Sequence, residues 1–440
     1  MTSPPPADAV TREGLRAAIG LRSAVMLVVG GVIGVGIFVN PAVVARALHS
    51  PGLALSAWGL GGAVALLGAF IYAELAARMP ATGGEYIYLR DTYGPLMGFL
   101  FGWSMLLVVH AGGMAAVSIV FADNIARLLP GLLPERVVVV AVLVGLALIN
   151  CVGVRAGNGV QAGLGVLKLA CVTALIVAGL VIAPHAPAPD TRSAPDDFKS
   201  FGAAMIPVMF SFGGWQTANY IAGEMKDPAR TLARALLIGM VLVCAVYLLI
   251  NLACFRALGG VDLAATDTPA ADVLQRAGGP MGARLAAAAV ALSALGYLGQ
   301  SMLTGPRVLF AMARDGLFFR AMADLGETSR VPVAAILLLT AWTAALALTG
   351  SFEQILSYDV ATNFLFFGLS ASCLFVLRRR DAGAVFVRVP LHPWSTGVFV
   401  LACVGIVAVS IWNFPVDSLI GYAIMAVGIG PFLYWRGRRG

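Results

Sequence analysis

Gly30-Gly31-Val32-Ile33-Gly34-Val35-Gly36-Ile37-Phe38 places four glycines inside an apolar run long enough to cross a bilayer. Glycine costs a helix about 1 kcal/mol relative to alanine. In lipid, a broken backbone persists only where protein or a polar cavity satisfies its amides and carbonyls. A second break, Ser211-Phe212-Gly213-Gly214-Trp215, interrupts another apolar run. Gly30 and Gly34 also fit a small-xxx-small packing pattern, the structural alternative for the first stretch. A dinucleotide-binding reading fails, because Gly34-Val35-Gly36-Ile37-Phe38-Val39 lacks the last glycine and no strand-helix context surrounds it.

Composition sets the environment. Of 440 residues, 60% are hydrophobic and 12% charged, with a mean hydropathy of +0.89, against roughly 25% charged residues in a soluble domain. The charges fall in short strips between long apolar runs. The net charge of +7 therefore reads as basic loops beside anionic lipid, not as nucleic-acid affinity. Residues Met1–Gly20 are Pro-rich and polar, with no small-residue cleavage site after them, so no cleaved leader is expected. Cys151, Cys171, Cys244, Cys254, Cys373 and Cys403 lie in or beside apolar runs without metal-ligand spacing, and read as free thiols. His49, His110, His185 and His392 are scattered. No metal and no cofactor is expected.

At about 20 residues per span, the sequence predicts an all-α membrane protein of twelve helices. Twenty Lys/Arg fall in segments on the side of the N-terminus and eight on the other, with Lys168 inside a span, so both termini are expected in the cytoplasm. The breaks fall in segments 1 and 6. That position implies two five-helix units, residues 21–183 and 184–380, after a tail at 1–20 and before a helix pair and second tail at 381–440. A short surface helix is expected near Ala270–Ala277, and interfacial stretches within Ala81–Gly94 and Ala311–Arg330.

Paired broken helices point to a carrier's substrate site. A break frees amides at the start of the second half-helix, suited to a carboxylate. It also frees carbonyls at the end of the first, suited to an ammonium, so a zwitterion matches both. Lys168, the one Lys/Arg well inside a span, is a functional candidate by its cost alone; the alternative is an end-of-helix lysine reaching for water. His110, beside Gly112-Gly113, reads as a neutral core histidine. Glu74 has Arg78 one turn on and reads as an ion pair. Asp227-Pro228 reads as a cap and first helical position.

Several stretches together resemble the amino acid–polyamine–organocation superfamily, and within it the L-type amino acid transporter family and its bacterial relatives. They are Ile33–Phe38, Tyr72-Ala73-Glu74-Leu75, Met79-Pro80-Ala81-Thr82-Gly83-Gly84-Glu85-Tyr86, Phe210–Trp215, Gly223-Glu224-Met225-Lys226-Asp227-Pro228 and Pro306–Gly316. The likeness covers nearly all of the chain after Gly20. It implies a five-plus-five inverted repeat working by alternating access. It implies a substrate carboxylate on the amides of Val35 and Gly36, with Gly34 shaping the turn. The ammonium would meet carbonyls of Val32, Phe210 and Gly213. Phe210 would be an aromatic lid, and Gln216 would face the substrate side chain. Lys168 matches the lysine that sodium-independent relatives hold against the first broken helix in place of a cation. One departure is Val35, where relatives often carry serine or alanine; valine keeps the amide but adds bulk.

The resemblance thus implies a sodium-independent carrier of neutral amino acids, an exchanger or a proton-linked symporter. A cationic or polyamine carrier should place a carboxylate near the midplane. Glu74 and Glu224 are too far toward the inner side and Asp359 too far toward the outer. A non-transporting sensor on the same scaffold is the alternative from another class. An enzyme is not expected, since no nucleophile–base set occurs. The outer loop Ala122–Glu135 has no cysteine, so no disulfide-linked accessory subunit is expected. Three lysines against twenty-six arginines accord with a bacterial inner membrane.

Overall fold

Long apolar runs satisfy their backbone in lipid by coiling on themselves, and this chain does so throughout. The computed structural model describes residues 14–438 apart from residues 16, 49, 132, 187–197, 350–351, 382 and 384. His49 and residues 1–13 of the expected tail lie outside the described residues, as do the side chains of residues 352–360, Asp359 among them. Among the described residues there is no strand, only one isolated bridge between Ile19 and Met225.

Segment 1 is two helices, α1 (Leu21–Val32) and α2 (Gly36–Ala47), bent by 41° at the glycine break. Helix α3 (Pro51–Arg78) opens on Ser50, whose hydroxyl accepts from Leu53 N, followed by proline at the first position. A short α4 (Glu85–Tyr93) lies in the loop after it. Helix α5 (Pro95–Ser104) passes through a π-helical turn at Met105–Val109 into α6 (His110–Leu128). Then come α7 (Glu135–Val152) and α8 (Val154–Val177). Segment 6 starts as α9 (Phe198–Ser211), breaks, and resumes as a 3₁₀ run over Trp215–Glu224.

The second half continues with α10 (Pro228–Ala265), the surface helix α11 (Pro269–Gly278), α12 (Pro280–Thr304) and the short α13 (Pro306–Arg314). It closes with α14 (Val333–Thr349), α15 (Phe352–Arg380), α16 (Trp394–Asn413), α17 (Pro415–Val427) and α18 (Ile429–Gly437). Among the described residues nine spans are long and apolar enough to cross a bilayer, or ten counting the bent α1–α2 pair. The other two of the expected twelve fall on α14, an apolar helix of only 17 residues, and on the α9–3₁₀ pair, and neither is among these ten.

Three carboxylates order the end of the bundle where α1 begins. Glu74 is fully buried and accepts from Arg78 at 2.9 Å, Arg378 at 2.6 Å and Val389 N at 2.7 Å. Only the Arg78 partner is adjacent in sequence. Glu224 pairs at 2.7 Å with Arg307, both fully buried. Asp315 accepts from Tyr86 at 2.7 Å and pairs with Arg90. Asp227 does occupy the cap position before Pro228, yet its side chain makes no capping bond; it sits 3.8 Å from Arg230 instead. A backbone φ of +47° at Asp227 goes with this departure from the expected cap.

Candidate substrate site at the paired helix breaks

The breaks touch. A Cβ on Gly214 would lie 2.2 Å from the carbonyl oxygen of Gly31, and one on Gly31 would lie 2.9 Å from Gly214 O. Gly214 also has φ +102°, a region that disfavours any residue with a Cβ. Glycine at 214 is therefore required twice over, by conformation and by close approach.

Val32, Gly34, Val35 and Gly36 from the first break line one cavity together with Phe210, Gly213 and Gln216 from the second. The opposite wall comes from the π turn and the start of α6, through Met105, Val109, His110 and Gly113, and from Asn363 and Phe364 of α15. A π turn widens a helix locally and recurs at functional sites. No glycine or proline in Met105–Val109 announces it.

Val35 precedes the first residue of α2 and supplies no side-chain cap. A serine or aspartate there would satisfy the first amides. Among the described residues no acceptor meets the amides of Val35, Gly36 or Ile37. The start of α2 therefore presents uncapped N–H groups to the cavity, the arrangement that favours an anion.

The carbonyls are less free. Val32 O accepts from Gly34 N at 2.7 Å and from the Tyr247 hydroxyl, also at 2.7 Å, which uses both lone pairs. Phe210 O accepts from Gly213 N at 3.0 Å. Among the described residues nothing donates to Gly213 O. Gln216 lines the cavity, but its side-chain oxygen accepts from Gly214 N at 3.0 Å and so fixes the break as well.

Lys168 on α8 is buried, and its ammonium donates to Gly30 O at 3.0 Å and to Ile33 O. Gly296 makes room for it, since a Cβ there would meet the lysine Cε at 2.9 Å. Sequence reasoning missed three further braces. Tyr247 of α10 donates to Ser211 O at 3.0 Å as well as to Val32 O, so one hydroxyl ties both breaks together. Ser293 of α12 donates to Ile33 O and Gly34 O at 3.1 and 3.0 Å. Asn40 of α2 donates to Ser211 Oγ at 2.7 Å. Their one sequence signal is a polar side chain within an apolar helix. His110 Nε2 lies 2.9 Å from Ser301 O, which can only accept, so that nitrogen carries the proton. Among the described residues no group of three or more His, Cys, Asp or Glu is placed to hold a metal ion.

Comparison with known proteins identifies the family. The sequence profile of the amino acid permease family matches residues 19–434. The chain is 30% identical to the human "Large neutral amino acids transporter small subunit 2" over 437 residues, covering 96% of this chain and 81% of that one. It is 29% identical to the mouse "Asc-type amino acid transporter 1", covering 97% and 83%. To the "Serine/threonine exchanger SteT" of Bacillus subtilis it is 31% identical over 393 residues, covering 87% and 88%. With a profile spanning nearly its whole length, an all-α membrane architecture and two broken helices meeting at one cavity, the chain belongs to the amino acid permease family of multi-pass membrane transporters and is not an enzyme.

Proposed function

We propose that the protein is a sodium-independent carrier of neutral amino acids, working as an exchanger by alternating access in a cell membrane with both termini cytoplasmic. The observation that carries this reading is the cavity at the two breaks. Uncapped amides of Val35 and Gly36 face it from one side and the carbonyl of Gly213 from the other. A substrate with both α-carboxylate and α-ammonium uses both ends. The cavity walls named above carry no carboxylate, which favours a neutral side chain over a second positive charge. Val32 O keeps its proposed ammonium role only if substrate displaces one of its two present donors. Phe210 is the lid and Lys168 occupies the place a coupling cation would take.

The relatives' printed names, transporters of large neutral amino acids and a serine/threonine exchanger, support the neutral class and the exchange mode. The sequence symmetry of break positions supports two five-helix units at residues 21–183 and 184–380. The cysteine-free loop at residues 122–135 supports function without a disulfide-linked partner, and the arginine bias supports a bacterial inner membrane. Uptake of labelled neutral amino acids into proteoliposomes, with and without internal substrate, tests the proposal. Internal substrate should accelerate uptake, and amides or deaminated analogues should compete poorly with the parent amino acid. Equal competition by either analogue, or uptake indifferent to internal substrate, refutes it.

A further inference from the structure

Glu85 opens α4 within the Gly83-Gly84-Glu85-Tyr86 stretch, which the substrate site leaves unused. The residue is 1% exposed, yet among the described residues no arginine or lysine pairs with it. The nearby cations are taken: Arg78 and Arg378 by Glu74, Arg307 by Glu224, Arg90 by Asp315. Glu85 instead accepts from three neutral hydroxyls on three other elements. These are Tyr72 of α3 at 2.6 Å, Tyr220 of the 3₁₀ run at 2.8 Å and Ser370 of α15 at 3.4 Å.

The surroundings are tight. A Cβ on Gly84 would lie within 2.9 Å of Tyr220 and Asn219, and Gly83 N donates to Tyr220 O at 2.9 Å. Tyr88 on α4 donates to Asn219 Oδ1 at 3.0 Å, and Asn219 Nδ2 donates to the carbonyl of Gln216 at 2.8 Å. The cluster therefore connects through two hydrogen bonds to a wall of the substrate cavity. Tyr72, Tyr88, Tyr220 and Cys373 are fully buried with it, and among the described residues these are the titratable groups facing Glu85 from α3, α4, the 3₁₀ run and α15. Helix α5 contributes none; α13 carries Arg307, held by Glu224, and Arg314, over the Phe310 ring, and Asp315 just beyond it faces Tyr86 and Arg90.

We propose that Glu85 is a proton-operated latch, closed when its carboxyl is neutral and released when the buried carboxylate ionises, which controls opening of the cavity toward the end where α1 begins. The inference rests on the transport reading only for what passes through the opening. Burial pushes the Glu85 carboxyl up to about 7, against the opposing pull of the three hydroxyls. A glutamate in water titrates near about 4.3. The closed latch therefore binds the proton more tightly than the open one. Opening gains from ionisation as pH rises from about 4 to about 7 and gains nothing more above that.

Cys373, fully buried and bonded to Tyr88 O at 3.5 Å, is a native reporter of the seal. With the other five cysteines replaced, its alkylation rate is compared between the parent protein and Glu85→Gln at each pH, which cancels the thiol ionisation common to both. The parent-to-variant ratio should rise at least tenfold between pH 5 and 8 and level off above about 7. Tyr220→Phe, with one donor removed, should level off at a higher pH. A ratio flat with pH, or a Tyr220→Phe profile superimposed on the parent's, overturns the latch; should Glu85→Gln fail to fold, the Tyr220→Phe comparison decides alone. Counterflow at pH 7 is measured on the same protein. Its absence refutes the transport reading and leaves the labelling result standing for the latch.

Discussion

Replacing Lys168 with methionine keeps most of the side-chain volume and removes only the ammonium. The structure fixes what that costs. Lys168 donates to Gly30 O and Ile33 O, and leaving a buried acceptor without its donor costs about 1–3 kcal/mol. Ile33 O retains the Ser293 hydroxyl at 3.1 Å, so the loss falls mainly on Gly30 and comes to about 1–3 kcal/mol. That is a modest fraction of a fold's stability, but it is concentrated at the first break, whose amides form the substrate site. Lys168→Met should therefore remain folded, with a lowered melting temperature, and lose most uptake. The parent protein should take up substrate equally in sodium and choline buffers. A sodium ion about 4 Å from the ammonium would be repelled by roughly 4 kcal/mol at an effective dielectric of 20, enough to keep it out. Radiolabelled uptake and thermal unfolding on the same purified proteins are the assays. Steep sodium dependence in the parent, or full uptake by Lys168→Met, refutes the reasoning.

Tyr247→Phe removes one hydroxyl whose single proton is shared between Val32 O and Ser211 O; stability should fall by about 1 kcal/mol, read as a lowered melting temperature. Gly214→Ala should abolish folded protein, since its Cβ would enter Gly31 O at 2.2 Å and its φ is +102°. Gly213→Ala, with its nearest contact at 3.2 Å, should be recovered folded on size exclusion. Phe210→Ala should impair uptake more than thermal stability, because the ring faces the cavity and is only partly buried; a drop of about 3–5 kcal/mol, as for a core aromatic, would make it a packing residue instead.

Much of this protein was legible along the chain because membranes simplify the problem. Hydropathy alone locates the spans, since lipid leaves a backbone few options other than the helix. Glycine clusters in the middle of such spans locate the breaks, because nothing in lipid tolerates them without a compensating site. Lys168 announced itself by the cost of placing a charge there. Short-range pairing was equally readable, as with Arg78 one turn from Glu74.

Tertiary structure alone decided which groups meet across the bundle. Tyr247, 36 residues from Ser211 and 215 from Val32, looks in sequence like any aromatic in an apolar helix. Arg307 and Arg378 read as ordinary basic residues beside spans, yet they neutralise Glu224 and Glu74. That in turn leaves Glu85 among hydroxyls alone. The π turn at Met105–Val109 and the 3₁₀ run after Gly214 carry no local signature either. Sequence fixes the cost of burying a polar group, but the partner that offsets it comes from a distant helix, and only packing brings the two together.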